Sequence, residues 1–247
     1  NGPRTLTGGG GASFANPASA GYGGGGEPET HWLSNDGRIE WSAMDAYLPS
    51  VGMPLAFART YRGSVTTYDG PLGKQWDFNW NSRMSETSAT SHVTAYEQSR
   101  SETYTYDSGN FTSPIGRFDS LVRDTTPDPD QYVRTDRYGI VERYEFDITR
   151  FGVTWYRLKS ITDLNSNVQT FAYDTARHLT TVTVSLARDT TLSYDSNDRI
   201  TKITDAASRD WVYGYDGSGN LVTVTTPVVD EEGSDDDYTI GKSTIYK

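Results

Sequence analysis

The chain has 247 residues, with 33 Asp plus Glu against 22 Lys plus Arg, and no Cys. A formal charge of −11 leaves no basic excess to release counterions from phosphates, which argues against nucleic acid as a partner. The missing thiols exclude disulfide frameworks, thiolate metal sites and cysteine nucleophiles, and no apolar run approaches the roughly 18 residues of a membrane span.

Residues 1–35 read as a Gly-rich flexible leader, with Gly8-Gly9-Gly10-Gly11 and Gly23-Gly24-Gly25-Gly26 among small polar residues. Glycine runs gain little from any fixed conformation. Phe14 and Tyr22 are the two side chains that could anchor this segment as a strand on a neighbour. The chain opens at Asn1 without Met and stops at Thr244-Ile245-Tyr246-Lys247, which reads as mid-strand. The expectation is therefore a piece of a longer protein.

Residues 36–150 read as a β-rich domain. Hydrophobic residues make up only 34% of the chain while aromatics reach 13%, so burial leans on Tyr, Trp and Phe, which favour strands. Pro54-Leu55-Ala56-Phe57-Ala58-Arg59-Thr60-Tyr61 alternates with period two, the mark of a half-buried strand. Asp69-Gly70-Pro71-Leu72-Gly73 is a tight turn. Trp76-Asp77-Phe78-Asn79-Trp80 alternates again and puts three rings on one face. Asp128-Pro129-Asp130 marks a loop, and strands resume over 132–144. Nowhere does a 3.6-residue apolar stripe run on, so the fold class is all-β.

Residues 151–247 carry a repeat. Tyr-Asp recurs at Tyr173-Asp174, Tyr194-Asp195 and Tyr215-Asp216, at intervals of 21. Two residues before each Tyr sit Phe171, Leu192 and Tyr213; six after it come Leu179, Ile200 and Leu221; nine after it come Val182, Ile203 and Val224. Position five holds His178, Arg199 and Asn220, and this variety suits a solvent-facing site. Arg157–Asp163 matches Arg199–Asp205 and supplies an upstream partial copy. Each unit reads as one antiparallel hairpin, with the Asp opening its turn by accepting backbone N–H groups. Positions six and nine break strict alternation, and a bulge after the turn restores the phase. Hairpins of this size are marginal alone, so they must stack edge to edge into a spiral or curved sheet.

On these residues, together with Pro54–Arg62 and Gly70–Trp76, the chain resembles the N-terminal part of an Rhs/YD-repeat protein. The repeats follow Tyr-Asp-x-x-Gly-Arg-Leu, with Arg177, Asp198 and Gly219 at the usual Gly position. The resemblance implies hairpins forming the wall of a hollow shell or an extended extracellular fibre, secreted or at the cell surface. It implies as partners further YD repeats of the same chain, copies of itself, or a cargo domain held inside. The autoproteolytic Asp-Pro-x-Gly-Leu type of motif found in several members is absent from this sequence.

Other chemistry is sparse. Asp230, Glu231, Glu232, Asp235, Asp236 and Asp237 are candidate calcium ligands, since hard cations take clustered carboxylates, although charge runs are more often solvated loops. Asp163-x-Asn165-x-Asn167 and Asp216-x-Ser218-x-Asn220 imitate the start of a calcium loop but lack its Gly and distal Glu. Gly241-Lys242-Ser243-Thr244 resembles the end of a phosphate loop without the Gly that must precede it. His31, His92 and His178 lack zinc-ligand spacing. The six Trp read as core before they read as a sugar platform. The expectation is a non-enzymatic structural module with no cofactor, with a strand-added filament or a surface-glycan binder as alternatives. A glycosidase-like carboxylate pair leaves no short motif and stays open.

Overall fold

The computed structural model describes residues 29–33, 38–63, 68–87, 92–98, 100–126, 131–184, 188–228 and 241–246. These residues form antiparallel strands and turns, with no helix among them. The Gly-rich segment through residue 28, with Phe14 and Tyr22, and the acidic run Asp230–Asp237 lie outside the described residues, as does Asp128-Pro129-Asp130.

A small sheet comes first. It pairs β1 (Glu29–Leu33), β2 (Arg38–Leu48), β3 (Leu55–Arg62) and β6 (Trp76–Phe78) in that order, with β4 (Asp69–Gly70) and β5 (Gly73–Lys74) forming a two-stranded hairpin beside it. The alternation of β3 puts Leu55 and Phe57 into the core. Arg59 takes the next inward position. Its guanidinium lies 4.8 Å over the Trp76 ring, and its Nε donates to Asp45 at 2.7 Å. Asp45 reaches it because β2 bulges between Met44 and Ala46.

The second sheet is continuous through the rest of the chain. One arm runs through β7 (Arg83–Thr87), β8 (Val93–Glu97), β9 (Arg100–Asp107) and β10 (Asn110–Thr112). Another comprises β11 (Ser120–Asp124), β12 (Gln131–Thr135) and β13 (Val141–Arg150). Both meet at β14 (Val153–Thr162), where the sheet forks. Along one edge β14 pairs with β13. Along the other, Val153–Arg157 pair with β7 and Ser160–Thr162 pair with the first repeat strand. The arms curl so that β10 packs beside β11, with Phe111 5.8 Å from Tyr132, yet the two strands do not pair and the sheet stays open.

The repeat hairpins continue from the fork as β15 (Val168–Tyr173), β16 (Leu179–Val184), β17 (Arg188–Tyr194), β18 (Ile200–Thr204), β19 (Asp210–Tyr215), β20 (Leu221–Thr225) and β21 (Ser243–Ile245). The expected bulge is present in all three complete units. Tyr173 pairs with Leu179, Tyr194 with Ile200 and Tyr215 with Leu221, each after a one-residue register shift. That shift turns positions six and nine to the same buried face. Register also places β21 in the repeat frame. Val182, Ile203 and Val224 pair with Thr190, Trp211 and Thr244, so the last interval is 33 residues where the previous one is 21. Tyr246 thereby stands where Phe171, Leu192 and Tyr213 stand.

The first sheet covers the inner face of these hairpins. Phe57 lies 6.3 Å from Tyr213, Trp80 6.4 Å from Phe171, and Tyr246 packs at 5.1 Å from Trp41 and 5.4 Å from Trp76. Polar ties fix the layers in register: Tyr213 donates to Asp45 at 2.8 Å, Ile200 N to the Pro71 carbonyl at 2.8 Å, and Lys74 N to the Gly219 carbonyl at 3.1 Å. The last contact needs Gly73, because a Cβ there would sit 2.6 Å from the Gly219 oxygen.

Candidate functional site: the Tyr-Asp ladder

The turns explain the Asp. In the third unit Asp216 Oδ1 accepts from Ser218 N at 2.9 Å and Asn220 N at 2.8 Å, and Asp216 N closes on the Asn220 carbonyl at 3.0 Å. Asp195 repeats this with Asn197 N and Arg199 N. The opposite hairpin ends use the same device at Asp163 and Asp205, and Asp136 uses it between β12 and β13. Three residues after each Asp the backbone enters the left-handed region: Arg177 at φ 73°, Asp198 at 61°, Ser166 at 64°, Ser208 at 60° and Gly219 at 83°. This is the slot in which the family pattern prefers Gly, because a side chain there strains the backbone.

These contacts also set the carboxyls. Hydrogen bonds from the Asn220 side chain and backbone hold Asp216 below the ordinary carboxylate range. At Asp163 and Asp174, slight burial works against ionisation, but hydrogen bonds from Asn167 and His178 respectively outweigh it and lower both. The calcium-like patterns at Asp163 and Asp216 are thus turn devices: Oδ1 serves the backbone, and Oδ2 accepts from Asn167 or Asn220 Nδ2 at 2.8 Å. Among the described residues no group of three or more His, Asp or Glu is placed to hold a metal.

The Tyr does something a Phe could not. Tyr173 donates to the Leu158 carbonyl at 2.7 Å, Tyr194 to the Leu179 carbonyl at 2.9 Å, and Tyr215 to the Ile200 carbonyl at 2.7 Å. Each acceptor is position six of the preceding unit. In the complete units this residue sits beside the extra residue of the bulge, Thr180 or Thr201, and like Leu158 upstream it has no register partner on the strand that begins the next hairpin. The hydroxyl of each repeat therefore satisfies a carbonyl that the ladder of its neighbour leaves open. Burial pushes all three phenols up, so they remain donors.

Position five closes the ladder at His178 and Arg199, which corrects the solvent-facing expectation there, while Asn220 is exposed as expected. Arg157 lies 4.4 Å over Tyr173, His178 stacks 4.4 Å from Tyr194 at 15°, and Arg199 lies 5.6 Å over Tyr215. The His178 side chain is only 18% exposed, with Nδ1 3.2 Å from Asp174 and Nε2 3.0 Å from Asp198. The residue varies because a guanidinium and an imidazole both cover a ring face.

The remaining expectations sort by burial. Leu179, Ile200, Leu221, Val182, Ile203 and Val224 are core. Trp76, Trp80 and Trp211 are buried, which removes Trp76 and Trp80 as a stacking platform for sugars from solvent. His92 Nδ1 accepts from Tyr106 N at 2.9 Å. One feature that the sequence does not announce is a buried polar cluster between the two curled arms. Tyr132 donates to Glu86 at 2.8 Å, Tyr104 to Asp119 at 2.6 Å and Tyr144 to Glu142 at 2.6 Å, while Arg134 pairs with both Glu97 and Glu142. Arg117 adds contacts to Glu97, Glu102 and Asp119 at 2.8–3.1 Å.

No curated protein matches the chain. Among solved structures, a porin-like protein from Bacteroides uniformis aligns over 89% of this chain and 94% of its own, at 14% identity and a TM-score of 0.31; at that similarity it carries no argument. Residues 36–104 match a family described as Domain of unknown function (DUF6531), typical of the N-terminal region of Rhs/YD-repeat proteins, and residues 194–228 match RHS Repeat. Both matches fall on the segments that carry the sequence resemblance, in the same order, and the second spans the Tyr194 and Tyr215 rungs: the chain is an Rhs/YD-repeat family protein.

Proposed function

We propose that this chain is a non-enzymatic wall segment of a secreted or surface-exposed Rhs/YD-repeat protein. Hairpins add edge to edge, each locked to the one before it by a Tyr hydroxyl on a bulge carbonyl. The N-terminal sheet fills the inner side of the first hairpins, and further repeats of the same chain extend the sheet from the free edge of β21. A wall that keeps curving would enclose a space for a cargo domain. The observation that carries this reading is the ladder itself: Tyr173, Tyr194 and Tyr215 repeat one contact at 2.7–2.9 Å to the preceding unit. Such a contact has a function only where hairpins stack in series.

Negative-stain electron microscopy of the native protein that contains this segment tests the proposal. Closed hollow particles are expected. Long fibres with a regular axial repeat would overturn it in favour of a filament assembled by strand addition.

A further inference from the structure

A cleft of about 280 Å³ opens between residues 78–83 and the β13–β14 hairpin, closed at one end by the turn of the first repeat. Its lining inverts the charge of the molecule. Arg83, Arg150, Arg157 and Arg177 face a single carboxylate, Asp147, in a chain with 33 acidic against 22 basic residues. Asp147 is shared, lying 3.5 Å from Arg157 and 3.9 Å from Arg177, and Arg157 also gives its Nε to Glu145 at 3.0 Å. Among the described residues, Arg83 and Arg150 have no carboxylate within ion-pair distance. The Arg83 guanidinium lies 5.3 Å from the Trp155 ring and 5.6 Å from the Tyr96 ring, and its Nε is buried without a hydrogen-bond partner. The two rings lie 5.3 Å apart, and the guanidinium sits against both of them, so it is already partly oriented and less side-chain freedom is lost when an anion binds.

We propose that this cleft binds the carboxylate side chains of an acidic peptide. The uncharged polar groups in the lining are turned to other work: Asn81 Nδ2 donates to Tyr68 and Asp77, and the Ser82 hydroxyl bonds Tyr144. A neutral ligand would find few partners there. The ring faces are occupied too, Tyr173 by Arg157, Tyr194 by His178 and Trp155 by Arg83. No stacking platform is left for an acidic sugar, which favours the peptide. The net negative charge of the chain opposes approach only over a Debye length of about 8 Å at physiological salt, so attraction is local to the cleft.

The test is fluorescence anisotropy of a labelled octaglutamate peptide titrated with the whole chain, beside an octaglutamine peptide and an oligogalacturonate. Octaglutamate alone should bind, with affinity falling as salt rises. Arg83→Gln and Arg150→Gln should each weaken it about tenfold, while Arg143→Gln, outside the cleft, leaves it unchanged. Arg150 is exposed, so its variant folds whatever the loss of stacking does at Arg83. Failure of octaglutamate to bind, equal binding of octaglutamine, preference for oligogalacturonate, or unchanged affinity in Arg150→Gln would each overturn the assignment.

Discussion

The two arms that curl from β14 and the hairpins that continue from it belong to one sheet, yet they use tyrosine in opposite ways. In the hairpins, the hydroxyls of Tyr173, Tyr194 and Tyr215 reach a backbone carbonyl 15 residues back. In the arms, Tyr132 reaches Glu86 across 46 residues and Tyr144 meets Ser82 across 62. The first arrangement can be copied indefinitely, because every unit contains the carbonyl that the next one needs. The second occurs once, since it depends on carboxylates and arginines brought together by chain closure. A repeat wall thus starts from a unique, charge-locked region and grows by a contact that needs no new partner.

The contrast can be broken from either side. Replacing Tyr194 and Tyr215 together by Ala should unfold the repeat section, at a cost of about 3–5 kcal/mol per ring; thermal unfolding followed by near-ultraviolet circular dichroism reads it. Arg134→Met in the arms leaves Glu142 buried without its cation and Glu97 with Arg117 alone, and should cost about 3–5 kcal/mol. Restoring an apolar partner with Glu142→Leu in the same chain should recover part of the loss, and a denaturant-melt double-mutant cycle measures it. No recovery would mean that the cluster does not act as a unit.

Smaller changes sharpen the comparison. Ser166→Gly and Ser208→Gly place the residue each turn asks for at its left-handed position, and each should stabilise by about 0.5–1 kcal/mol in chemical denaturation. The carboxyls of Asp163, Asp174 and Asp216 are lowered in the folded chain. Their contribution is therefore complete above the ordinary carboxylate range and is lost as pH falls through their folded values. Denaturant midpoints of the repeat section should decline on acidification from about pH 5 to about pH 3, and Asp216→Asn should blunt that decline.

How much of this was legible depends on how local the cause is. The hairpin, its Asp turn and the bulge follow from spacing within one unit: Leu179 and Val182 are three apart, and a bulge is the local way to bury both. The Gly slot at Arg177 and Asp198 is visible for the same reason. Position five was misread at His178 and Arg199 because the partner lies in the next unit. A solvent-facing site and a ring-covering site look alike when His178, Arg199 and Asn220 are compared with one another and not with the Tyr 16 residues on. The seating of β1–β3 and β6 on the hairpins, the fork at β14 and the Arg134 cluster leave no periodic trace. They join residues tens of positions apart through side chains that elsewhere in this chain are exposed. A search for Tyr and carboxylates on facing strand positions, such as Tyr132 and Tyr144 across β12 and β13, is the one signal that could have suggested the cluster.

The central claim is that the Tyr hydroxyl, and not only its ring, couples each hairpin to the one before. Native-state hydrogen exchange on the triple variant Tyr173→Phe, Tyr194→Phe, Tyr215→Phe tests it most directly, with Tyr106→Phe on the exposed surface as reference. The rings stay and only the three donors are lost, leaving the Leu158, Leu179 and Ile200 carbonyls unsatisfied. The account predicts a loss of about 1 kcal/mol per hydroxyl, with opening energies falling across β15–β20 and the β7–β13 arms unchanged. Protection in β15–β20 equal to that of the reference would contradict it.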